Sequence, residues 1–189
     1  MNWGLYIVAL VIAMVLDVSF VQVFAINHVI PSLAMCLLVF VCLYASRDSV
    51  LWAALLMGLL LDMTDVHLYM GSRPYHLVGP HVLGCFFAVC LVLPLRAMVF
   101  RRNPLAIGVM TVLLSIAVSL VYCFLWQIRS WYPDVLPPWS PEGVGSAFWR
   151  LVLCSLYSGL IAMPLGWLLT RTLPAWGFAM GNSRTARRG

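Results

Sequence analysis

Lysine is absent from the 189-residue chain, Glu142 is the only glutamate, and the four charged residue types together make up 9% of it. A soluble domain draws on average about a quarter of its residues from these types to cover its surface. Water is therefore the wrong solvent for most of this surface. The eleven basic residues are all arginines, and the formal net charge is +5. No basic helix interleaved with aromatics accompanies them, as a nucleic-acid groove requires, so no nucleic acid is expected as a partner. CxxC pairs are missing too. The cysteines at 36, 42, 85, 90, 123 and 154 fall inside apolar runs, where thiols act as small hydrophobes rather than disulfide or metal partners.

Enzyme signatures are equally scarce. There is no GxSxG nucleophile elbow and no HExxH zinc motif. The GxGD pattern of one intramembrane aspartyl-protease class is missing, since the chain reads GLLLD through Asp62, and the Asn-containing motifs of lipoprotein signal peptidase are missing as well. No catalytic residue, cofactor or metal is expected. Asp62, Asp65 and His67 are residue types that can hold a metal, but a DxxD pair without a further acidic motif does not specify one. The first apolar run has no basic leader, contains Asp17 and exceeds the usual apolar core of a cleavable signal, so it reads as a membrane helix.

What the chain does contain is long apolar runs, 63% of its residues being hydrophobic. They predict an all-α, polytopic membrane bundle of about six helices, over residues 3–24, 31–45, 50–64, 76–95, 104–127 and 147–170. The second and third fall short of the roughly 20 residues a span needs. A single transmembrane domain is expected over 1–172, then an interfacial segment and a basic cytoplasmic tail over 173–189. With the N-terminus inside, the inner segments hold Arg47, Arg96, Arg101, Arg102, Arg171, Arg184, Arg187 and Arg188, and the outer ones Arg73, Arg129 and Arg150. That asymmetry places both termini in the cytoplasm. Trp3, Trp52 and Trp167 mark one interface, and Trp126, Trp131 and Trp149 the other.

Two aspartates stand at membrane depth, where an ionisable side chain costs roughly 2.5–3.5 kcal/mol and so faces protein or water. Ala9, Ala13 and Asp17 are spaced four apart, as are Ala54, Gly58 and Asp62. Small residues at i−4 and i−8 let another helix approach each acid closely. Two readings follow: an ion, proton or ligand site, or polar contacts that fix helix packing or a partner face. The later helices carry further small stripes, at Thr111, Ser115, Ser119 and Cys123 and at Ser158, Ala162 and Gly166, suited to packing inside the bundle or against a partner. Pro133, Pro137, Pro138 and Pro141 exclude a regular helix from the outer segment near 130–146. Trp139 offers that segment an apolar contact point for a partner or the membrane surface, or the segment is a stiff connector.

The stretch PSLAMCLLVFVCLYASRDSVLWAALLMGLLLDMTD, residues 31–65, resembles the rod shape-determining protein MreD family. A second helix opening at Pro31 with a leucine-rich run, a short turn holding Arg47, then Gly58 and Leu-Leu-Leu-Asp62 carry the likeness. Where that family continues through a glycine-rich turn, this chain reads VHLYMGSRPYHLVGPHVLG. The resemblance implies a non-enzymatic scaffold in a bacterial inner membrane, organising lateral peptidoglycan synthesis with MreC and other proteins of the elongation machinery. It also implies a fold similar to the substrate-binding subunits of energy-coupling-factor vitamin transporters. Such a subunit is the alternative function, since this chain gathers its histidines on the expected outer side.

Overall fold

The structure is a computed structural model that describes residues 1–69, 73–96, 103–132, 138–139 and 143–178. Arg101 and Arg102, the prolines at 133, 137 and 141, and the basic tail with Arg184, Arg187 and Arg188 lie outside the described residues. The described residues are helical but for connecting turns and one short hairpin. Among them six α-helices follow in order: α1 (Trp3–Ser19), α2 (Leu33–Tyr44), α3 (Arg47–Thr64), α4 (Pro80–Leu95), α5 (Pro104–Arg129) and α6 (Val144–Arg171). Between α3 and α4, strands β1 (His67–Tyr69) and β2 (Arg73–Tyr75) pair antiparallel.

Local chemistry accounts for most helix ends. The side chains of Asn2, Ser32 and Asn103 accept amide hydrogen bonds at the starts of α1, α2 and α5. Pro80 and Pro104 begin α4 and α5, where a missing N–H costs nothing. The expected first helix breaks at Phe20, beyond which Val21–Phe24 tighten into a 3₁₀ turn. The third starts earlier than expected and takes Arg47 and Asp48 into its first turn. The fourth starts later, at Pro80, because Gly79 before it stands at φ 142°, outside the helical region.

The centre of the bundle is α2, which touches all five other helices. Every residue from Cys36 to Leu43 is buried. At 12 residues it is about 18 Å long. It is apolar on every side because it meets protein on every side. Tyr6 of α1 donates to the carbonyl of Ala53 in α3 at 2.8 Å. Helices α5 and α6 meet where Gly108 faces Gly159, and a β-carbon on either would run into the other's carbonyl at 2.8 or 2.9 Å.

By length and composition α5 and α6 suffice to cross a membrane, while α1, α2 and α4 are shorter apolar helices. Their outward faces are apolar as well: Ile7, Val8, Val11, Ile12 and Val15 on α1, and Val109, Leu120 and Phe124 on α5, are exposed. Trp126, expected at the outer interface, is instead fully buried. The folded part also runs past 172. Trp176 is buried with its ring 5.2 Å from that of Phe40, and its carbonyl accepts from the Asn2 amide.

Candidate functional site

Asp17 and Asp62 each sit near the end of one helix and cap the start of the next. Asp17 accepts from the Leu33 amide at 2.7 Å, the Ala34 amide at 3.2 Å and the Ser32 hydroxyl at 3.0 Å. These are donors that the first turn of α2 cannot satisfy within the helix, and a carboxylate there also complements the helix dipole. At the far end of α2, Arg96 donates to the carbonyls of Cys42 and Ala45, at 3.2 and 2.9 Å. Expected only as a topology charge, Arg96 closes the C-terminus of the central helix.

Asp62, 1% exposed, accepts from the amides of Gly79 (2.7 Å), His81 (2.9 Å) and Val82 (3.2 Å), and from Nδ1 of His81 (2.8 Å). Four donors fill the four acceptor positions a carboxylate offers. A metal or substrate would have to displace one. Gly58, one turn earlier, lets α4 approach this closely: a β-carbon there would stand 2.5 Å from Cα of Val82 and 2.7 Å from the His81 carbonyl. Ala54 is buried on the same face. The face is occupied by α4, so it is not free for a partner. Asp65 turns elsewhere, accepting from the Tyr122 hydroxyl at 3.4 Å.

Beside these caps lies a cavity of about 280 Å³, near the lower end of the roughly 300–1,000 Å³ typical of ligand pockets. It is framed by Ser32 just before α2, His81 of α4, Ser115 and Tyr122 of α5, Ser155 of α6, and Trp139. The ring centroids of His81 and Tyr122 lie 4.7 Å apart. The serine protons are largely committed: Ser119 donates to the Ser115 carbonyl, Ser155 to that of Leu151 and Ser158 to that of Cys154. Ser115 differs. Its hydroxyl is buried, the residue 6% exposed, and it has no hydrogen-bond partner among the described residues.

Trp139 corrects the expectation of an exposed partner contact. It is 4% exposed and packs with Cys123, Trp126 and Ala147, so it covers the cavity rather than reaching outward. Asp17 and Asp62 cap different helices, and among the described residues no hydrogen bond joins them. The serine stripe of α5 was legible as a row of small residues, but nothing in its spacing signalled a cavity. Comparison with family models, with characterised proteins and with solved structures finds no match for this chain.

Proposed function

We propose that this protein is a non-enzymatic, multi-pass scaffold of a bacterial inner membrane, of the MreD type, acting with MreC and other elongation proteins in cell shape and lateral peptidoglycan synthesis. The observation that carries the reading is the structural use of residues 31–65, the stretch that resembles that family. Its apolar run is the enclosed helix α2, and its Gly58 and Asp62 lock α3 to α4. Such a motif builds a rigid bundle rather than a reaction centre. Apolar outward faces support a lipid setting, because soluble monomers rarely expose contiguous apolar patches beyond a few hundred Å². Arginine placement supports cytoplasmic termini.

Affinity capture of the tagged full chain from its native membrane in mild detergent, read by mass spectrometry, tests this. Recovery of MreC with the elongation synthase is the expected outcome, and their absence from a folded, captured protein overturns it. One observation favours a second reading. The cavity lined by Ser115, Tyr122 and Trp139 suits the substrate-binding subunit of an energy-coupling-factor vitamin transporter, and capture of a transmembrane coupling subunit with paired ATPases would establish that instead.

A further inference from the structure

The cavity beneath Trp139 has an uneven hydrogen-bonding character. Ser119 and Ser155 have spent their protons on carbonyls of their own helices, at 2.9 and 2.8 Å, so each can only accept a further hydrogen bond, and both line the cavity. The Tyr122 hydroxyl is directed to Asp65. Against this acceptor-rich wall stands the Ser115 hydroxyl, buried and without a partner among the described residues. A buried polar group left unpaired costs about 1–3 kcal/mol. Ser115 lines a cavity large enough for a small molecule, and a bonding partner there would satisfy its hydroxyl.

We propose that this cavity binds a small, uncharged heterocycle rich in N–H donors, bonded by Ser115, Ser119 and Ser155 and walled by the rings of Tyr122 and Trp139. The lone pairs call for a donor. The aromatic rings favour a planar one. Among the described lining residues there is no carboxylate to pair a cation. The volume admits one or two fused rings. A larger hollow of about 510 Å³ beyond Arg150 is more open and carries no unpartnered buried group among the described residues. The inference rests on the cavity that favours the transporter-subunit reading and is independent of the scaffold reading.

Equilibrium dialysis of the full-length protein in detergent against adenine, and separately against uracil, tests the proposal. At least one should bind saturably at one per chain. Ser115→Val should weaken that binding about 5- to 10-fold, the loss of one buried hydrogen bond, with its thermal unfolding unchanged or raised. Binding of neither base at millimolar concentration to a folded protein overturns the proposal, and so does equal binding by Ser115→Val. Capture of a coupling subunit without base binding would sink this inference alone. Base binding with only MreC captured would sink the transporter reading and leave the site standing.

Discussion

Asp17 and Arg96 hold the two ends of one helix. The carboxylate takes the amides of Leu33 and Ala34, and the guanidinium gives to the carbonyls of Cys42 and Ala45. Neither residue belongs to α2 itself: one closes α1 and the other follows α4. A 12-residue helix packed against five neighbours still leaves its terminal amides and carbonyls to find partners, and an unpaired group there costs about as much as a lost hydrogen bond. Charges of the correct sign at each end also complement the dipole.

Removing either clamp should therefore destabilise the bundle. Asp17→Ala strands two amides and is expected to cost about 2–4 kcal/mol, with Arg96→Met costing about 1–2 kcal/mol. Thermal unfolding in detergent reads both as a lowered Tm. The double variant should show near-additive loss, because the two sites lie at opposite ends of α2 and share no partner. Strong coupling between them would count against two independent caps.

Gly58→Ala should destabilise through overpacking, by about 1–3 kcal/mol, since its methyl would meet backbone of α4 rather than a side chain that can turn away. Gly145→Ala provides the control. It lies in α6 with nothing within 4 Å of the added carbon, so the change should be neutral or stabilising by up to about 1 kcal/mol. Equal effects from the two substitutions would refute the close approach of α3 and α4.

Two tryptophans should separate cleanly. Trp139 is 4% exposed and Trp149 63% exposed. Trp139→Ala is expected to cost about 3–5 kcal/mol, as other buried Trp-to-Ala changes do, whereas Trp149→Ala should stay within about 0.5 kcal/mol. Unfolding curves of the two variants in the same detergent decide it.

Reporter fusions check the proposed orientation. Alkaline phosphatase joined after Ser130 should be active, and a green fluorescent protein joined after Arg171 should fluoresce, as a cytoplasmic end requires. The reverse pattern would invert the topology and move the cavity to the cytoplasmic face.

Much of the fold is written in local chemistry. Helices α5 and α6 run close to the expected 104–127 and 147–170, because each is a long apolar run, one started by Pro104 and both ending beside arginines. The hairpin was not legible, since two three-residue strands are too short to set up an alternating pattern. Asp17 and Asp62 stood out as costly residues, yet their spacing left packing and ligand chemistry equally open. Four donors converging on Asp62 separate the two, and those donors lie at and just before the start of a helix that begins 18 residues later.

By itself, the sequence determined that the chain is helical, where its longest helices run, and that its surface is too apolar for water. Tertiary structure alone decided which apolar residues face inward. Lipid and protein interior are equally apolar, so hydropathy cannot tell a core leucine of α2 from an outward valine of α1. The same limit hid the burial of Trp126, Trp139 and Trp176 and the role of Arg96. Each depends on contacts between segments far apart in the chain, made only once α2 stands at the centre and the other helices close around it.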